Sequence, residues 1–407
     1  MKKFEMVYGI EAVVSEVASE GFPEIFNEEV VESVRKFHAS IKGYKATPLV
    51  KLDALAKELG ISNIYVKDES YRFGLNAFKS LGGTFSIAKV LCEKLRKNID
   101  EITFDYLKSK EVSEKIKDMV FVTATDGNHG RGVAWAATQL GCKSVVYLPK
   151  GSAQRRVDAI REAGAEAYVT DLNYDDAVRL ATQKGKENGW HLVQDTGFEG
   201  YEKIPNWISQ GYITMADEAL DQLKLDGIVK PTHVFLQAGV GAMAGGVLGY
   251  YVNKFKGNHP ITVIIEPEQA ACIYKSALAG DGKAHNVTGD LNTIMAGLAC
   301  GEPNTVTWEI LRDFASAYVS CPDYVSANGV RILASPMGED KKVISGESGS
   351  VGVGLIDLLM SKPELEVFKN AIGLDENSVV LFFNTEGDTD PENYRKIVHY
   401  GKNPSII

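Results

Sequence analysis

An alternation of short apolar runs with segments of helical periodicity limits this chain to few architectures. Candidate strands lie at Met119–Thr123, Ser144–Leu148, Ala165–Thr170 and His191–Gln194. The first three are separated by Gly130–Leu140 and Ala153–Ala163, which read as helices closed by Gly141 and Gly164. The later half repeats the style, with strands at Thr232–Gln237, Ile261–Glu266 and Ser378–Asn384 and a helix at Ala242–Phe255. Strands this apolar, alternating with helices, predict an α/β fold of parallel sheets covered on both faces. Two such blocks, before and after about residue 195, predict two α/β units, and the length of 407 residues accommodates them. No long Pro/Ser linker divides the blocks, so they should pack around a shared cleft, where α/β ligands bind.

Composition excludes several classes. Hydrophobic residues make up 44% and charged residues 24%, which argues against disorder. The formal net charge of −10 argues against binding a nucleic-acid backbone. No run of apolar residues is long enough for a membrane span, and Glu5, Glu11 and Glu16 interrupt the N-terminal apolar stretches, so no signal peptide is expected. Cys92, Cys142, Cys272, Cys300 and Cys321 are odd in number and lack a CxxC, which predicts reduced thiols in a cytoplasmic protein and no metal site; only a Cys272–Cys300 pair stays open.

Four segments carry chemistry. In Phe73-Gly74-Leu75-Asn76-Ala77-Phe78-Lys79, the lysine follows an apolar pair and precedes a helix start. Desolvation and the positive end of the helix dipole would there depress an amine toward nucleophilicity. Thr125-Asp126-Gly127-Asn128-His129-Gly130 joins a strand to a helix. It reads either as an ordinary turn with Asp126 as N-cap or as an anion cradle for a substrate carboxylate, with Asn128 free to donate. His129 fits a structural hydrogen bond better than a general base. Gln237-Ala238-Gly239-Val240-Gly241-Ala242-Met243-Ala244-Gly245 suits a phosphate at a helix start. A loose dinucleotide fingerprint, with Glu266 as its acid, competes for the same residues. Leu381–Asn384 is an apolar strand that delivers Thr385-Glu386-Gly387-Asp388 to its end, where Thr385 could bond a ring nitrogen.

Together and in this order, these segments resemble the fold-type-II pyridoxal-phosphate enzymes, the family of threonine dehydratases and cysteine synthases. The resemblance covers nearly the whole chain. Within the family, FGLNAFK, TDGNHGRGVAWAA, AGVGAMAGG, PKGSAQ, QDTGFEGY, IMAGLACGEPN, ISGESG and NTEGDTD look like the diaminopropionate ammonia-lyase branch. The resemblance implies two parallel-sheet domains of tryptophan-synthase-β-like architecture with the active site in the cleft between them. Residues 1–84 and 195–407 would form the large cofactor-binding domain, residues 85–194 the smaller inserted one, and the protein would be a homodimer. It further implies pyridoxal 5′-phosphate carried as a Schiff base on Lys79, with Asn128 on its phenolic oxygen. Gly239, Val240, Gly241, Ala242 and Gly245 would wrap its phosphate, and Thr385 would face its pyridine nitrogen. A neutral hydroxyl there makes the ring a weaker electron sink, which favours prompt elimination. Thr125, Asp126, Gly127, His129 and Tyr174 would bind substrate, Tyr174 closing over the site.

Asp126 departs from the small or hydroxyl residues that dehydratases and synthases carry in this turn. A carboxylate beside the substrate's own carboxylate costs electrostatic free energy unless it meets a cation or moves a proton. The β-ammonium of 2,3-diaminopropionate supplies that cation; serine and threonine do not. The expected reaction is α,β-elimination to pyruvate and two ammonia. Lys79, Asp126 and Asp195 are the candidate bases. If Asp126 and Asp195 flank opposite faces of the substrate, both enantiomers would react. A serine/threonine dehydratase, a β-replacement synthase and a non-catalytic amino-acid sensor are the competing readings.

Overall fold

The computed structural model describes residues 1–15, 21–125 and 127–406. Among them, twelve strands form two sheets. The strands are β1 Lys2–Glu5, β2 Glu11–Val14, β3 Leu49–Lys51, β4 Asn63–Asp68, β5 Val120–Ala124 and β6 Lys143–Leu148. They continue with β7 Glu166–Val169, β8 His191–Leu192, β9 His233–Gln237, β10 Ile261–Pro267, β11 Ala317–Cys321 and β12 Val379–Asn384. The larger sheet has the order β1-β2-β11-β10-β9-β12-β4-β3, and the smaller, four-stranded sheet has the order β7-β6-β5-β8. Every pairing in the smaller sheet is parallel. In the larger, the central run from β11 to β4 is parallel, while β1, β2 and β3 join antiparallel at the two edges. The apolar alternation located β5, β6, β7, β8, β9, β10 and β12 to within a residue or two, and missed the parallel strands β4 and β11. The antiparallel strands β1, β2 and β3 are only three or four residues long, and escaped it.

Both faces of the larger sheet are apolar, as parallel strands require. Ile64, Val66, Phe235, Val263, Ile265, Val319, Val380 and Phe382 enter one core. Their neighbours Tyr65, Val234, Leu236, Ile264, Tyr318, Leu381 and Phe383 enter the other. That second core runs on beneath the smaller sheet through Phe121, Val122, Ala124 and Val145. The two sheets therefore share packing, and their carboxyl ends open on common space.

Two contacts place Lys79 there. The helix Ser80–Leu95 starts immediately after it, and Gly132 of the helix Asn128–Gln139 backs directly onto that start. A Cβ on Gly132 would lie 2.9 Å from the Ser80 nitrogen, so only glycine permits this approach. Upstream, a buried charge cluster pins the loop leading to Lys79. Arg72 Nη2 lies 2.8 Å from Glu218 Oε2 and 2.7 Å from Glu69 Oε1, and Lys67 Nζ lies 2.7 Å from Glu218 Oε2. Two cations balance two carboxylates, the condition for burying them.

The glycine-rich turn after β9 is not arranged for a dinucleotide. Glu266, at the end of β10, accepts from the Ile273 and Tyr274 N–H groups at 2.8 and 2.6 Å and so caps the helix Cys272–Ala279. No disulfide joins the five cysteines, and no helix among the described residues is long and apolar enough to cross a membrane.

Candidate active site

At the carboxyl ends of β5, β8, β9 and β12 lies a cavity. It is lined by Lys79, Asn128, His129, Tyr174, Asp195, Gly239, Val240, Gly241, Ala242 and Thr385 among the expected site residues. Crossover α/β sheets collect loop residues at this end of their strands.

Lys79 Nζ lies 2.5 Å from Asp195 Oδ2. Asp195, a candidate base from its place just past a strand, is 2% exposed and lies at the site's centre. Its Oδ1 accepts from Tyr174 Oη at 3.3 Å and from Gln194 Nε2 at 3.2 Å. Burial alone would raise its carboxyl, but the Lys79 ammonium, His129 and the Tyr174 hydrogen bond hold it below the usual carboxylate range. Tyr174 opens the helix Tyr174–Asn188 and is buried against Asp195.

The turn Gly239-Val240-Gly241-Ala242 leads into the helix Ala242–Lys254. Gly241 has φ +94°. Among the described residues, the N–H groups of Gly239, Val240, Gly241 and Ala242 find no acceptor. Four consecutive donors at a helix start, open to a cavity that also holds an amine, suit a phosphorylated aldehyde. Gly245 does not join them, since its N–H donates to the Gly241 carbonyl at 2.8 Å and its Cα faces Thr307. It packs the helix rather than wrapping a ligand.

Thr385 Oγ1 accepts from Gln237 Nε2 at 2.9 Å, which leaves the hydroxyl proton available for donation. Thr125 and Gly127 stand back from the cavity. Thr125 Oγ1 accepts from the Gly127 and Gly130 N–H groups at 2.9 and 3.0 Å and so organises the turn. The N-cap of the helix Asn128–Gln139 is Gly127, not an aspartate. Asp126 lies outside the described residues. His129 Nε2 bonds the Val193 carbonyl at 2.8 Å and its Nδ1 lies 4.0 Å from Asp195 Oδ2, which suits a support for that carboxylate.

Glu386, Gln237, Ser348 and Met243 also line the cavity and were not singled out from sequence. Glu386 is 1% exposed and accepts from Asn128 Nδ2 at 2.5 Å. Its position directly after Thr385, at the end of an apolar strand, was the available signal.

The family model described as pyridoxal-phosphate dependent enzyme matches residues 41–367. The chain is 53% identical over 378 residues to a diaminopropionate ammonia-lyase of Escherichia coli K12, covering 93% of each protein. Among solved structures it is similar to that of Escherichia coli diaminopropionate ammonia-lyase in complex with an aminoacrylate–PLP azomethine reaction intermediate. There the TM-score is 0.90 at 49% identity, covering 99% of this chain and 100% of the other. The Escherichia coli enzyme in complex with D-serine gives a TM-score of 0.90 at 48% identity, covering 99% of both chains.

Proposed function

This chain belongs to the pyridoxal-phosphate-dependent enzymes and, within them, to the diaminopropionate ammonia-lyases, and on that premise we propose that it eliminates ammonia from 2,3-diaminopropionate to give pyruvate and two ammonia. The observation that carries the reading is one cavity holding the Lys79 amine, the ionised Asp195 and the open amide cradle of Gly239–Ala242.

Lys79 holds the cofactor through its amine, Asn128 donates to the phenolic oxygen, the cradle binds the phosphate, and Thr385 donates toward the pyridine nitrogen. The cofactor supplies the electron sink that acidifies the Cα–H of an amino acid joined to it. Asp195 takes that proton at Oδ2 from one face of the substrate. Tyr174 and Gln194 fix its orientation, and its depressed carboxyl keeps it ionised. Asp126 serves the opposite face and the other enantiomer, a role that rests on its sequence position between Thr125 and Asn128. Residues 85–194 form the smaller domain and 1–84 with 195–407 the larger, consistent with the division of strands between the two sheets. A cytoplasmic homodimer completes the reading.

Purified protein given either enantiomer of diaminopropionate should change its visible cofactor spectrum and release pyruvate and ammonia. Pyruvate from serine or threonine alone would keep the family and discard the substrate, and binding without ammonia release would indicate a sensor.

Gly241→Ala tests the cradle. An alanine held at φ +94° costs roughly 1–2 kcal/mol, and its Cβ would lie 3.0 Å from Leu311 Cδ1. The expected result is a lower melting temperature for cofactor-free protein and faster loss of cofactor on dialysis, with Lys79 still able to react with free pyridoxal phosphate.

A further inference from the structure

Glu386 is buried beside the cavity, yet its carboxylate meets only uncharged donors. Oε2 accepts from Asn128 Nδ2 at 2.5 Å and Thr389 Oγ1 at 3.0 Å, and Oε1 from the Ser348 N–H at 3.3 Å. Asp195 has Lys79 beside it, and Glu69 and Glu218 share Arg72. Among the described residues no lysine, arginine or histidine nitrogen comes within the 4.0 Å of an ion pair to Glu386. Arg156 Nη2 lies 3.5 Å from Thr389 Oγ1, the hydroxyl that donates to Glu386. The negative charge is felt next door: burial first, and then Glu386, push the Glu347 carboxyl up to about 7. An anion desolvated without a counter-ion is costly, and a cation brought into the cavity relieves that cost.

We propose that Glu386 binds the β-ammonium of the substrate and keeps that nitrogen protonated until the Cβ–N bond breaks. The inference rests on the diamino-acid reading above and assigns the specificity within it. In 2,3-diaminopropionate two ammonium groups sit on adjacent carbons, and each makes the other's proton easier to lose. The leaving step needs that proton. As the Cα–H electrons form the Cα=Cβ bond, the Cβ–N pair departs with nitrogen. An ammonium departs as neutral NH₃, whereas an uncharged amine would have to depart as an amide anion. A carboxylate against the nitrogen holds the ammonium form through the step, and the ammonium in turn supplies the missing counter-ion. Serine brings a neutral hydroxyl to the same place and leaves Glu386 uncompensated, so the residue discriminates against hydroxyamino acids as well as assisting the diamino acid.

The test compares wild-type holoenzyme with E386Q and E386D. It measures kcat/KM for each diaminopropionate enantiomer and, separately, the Kd of D-serine from the change in cofactor absorbance. E386Q should lower kcat/KM for diaminopropionate by about 10–100-fold, while the D-serine Kd moves by less than about threefold. E386D, which keeps the charge on a shorter arm, should recover part of the loss, and it carries the comparison by itself if the glutamine variant does not fold. Equal losses for diaminopropionate and D-serine would overturn the inference, because Glu386 would then act on the whole site through Asn128. No ammonia from diaminopropionate with wild-type enzyme would overturn the reading of the reaction itself, and this inference with it.

Discussion

Lys79→Ala should abolish the visible absorbance of lysine-bound cofactor and lower ammonia release by on the order of 10³-fold or more, since both the covalent carrier and a proton-transfer group are removed. A surface lysine would show neither effect. The variant should also be less stable, for a reason independent of the cofactor. Lys79 Nζ is the cation 2.5 Å from Asp195, which is 2% exposed. Removing one partner of a buried ion pair strands the other charge, at a cost of about 3–5 kcal/mol. That figure is an upper bound, because Lys79 itself keeps 17% of its side-chain exposure and water can reach the gap. Asp195 has its carboxyl depressed in the folded state. Its contribution to stability is therefore present above the ordinary carboxylate range and is lost as pH falls through the depressed value. In Lys79→Ala the largest lowering influence is gone and burial pushes the carboxyl up, so the variant's deficit against wild type should be largest near neutral pH and should shrink as acid protonates the stranded carboxylate. Thermal melts of cofactor-free protein across the acid range check this. Adding Asp195→Asn should restore stability without restoring activity, which separates the stranded charge from the missing amine.

The parts of the molecule legible in the sequence are those governed by local period and by backbone geometry. Strands β5, β6, β9, β10 and β12 are buried on both faces and therefore read as continuous apolar runs. Gly241 has φ +94°, a demand that only glycine meets without strain, so the turn announced itself. Interactions across sequence distance were not legible. Asp195 was legible as a candidate base just past a strand, but its direct pairing with Lys79 across 116 positions was not. Glu386 stood in a quoted segment, yet nothing local distinguishes a carboxylate buried against Asn128, 258 positions away, from a loop residue. Gly245 shows the converse error. Its spacing imitates a phosphate-binding glycine, whereas the constraint is packing against Thr307 one layer behind. Strands β1, β2 and β3 were silent because strands of three or four residues are too short to show an apolar period.

Asp195→Asn should reduce turnover of one diaminopropionate enantiomer by about 10²–10⁴-fold, the usual contribution of a positioned general base, and affect the other far less. The substitution preserves volume, and its carbonyl oxygen can still accept from Tyr174 Oη and Gln194 Nε2, which now meet Oδ1 at 3.3 and 3.2 Å. The loss therefore reports the missing base rather than a collapsed pocket. The amide nitrogen would face Lys79 Nζ, donor to donor, so some loss common to both enantiomers is expected through Lys79. The diagnostic quantity is the ratio of the two kcat values, in which that common part cancels. A ratio unchanged from wild type would remove Asp195 from proton abstraction and leave it as the residue that positions Lys79. The reciprocal variant, Asp126→Asn, should shift the ratio in the opposite direction if the two carboxylates serve opposite faces. The pH dependence sharpens the assignment. Lys79, His129 and Tyr174 hold Asp195 ionised well below the usual carboxylate range. The enantiomer that depends on Asp195 should then keep its rate at acid pH until the protein itself begins to fail, and its acid limb should coincide with unfolding rather than precede it.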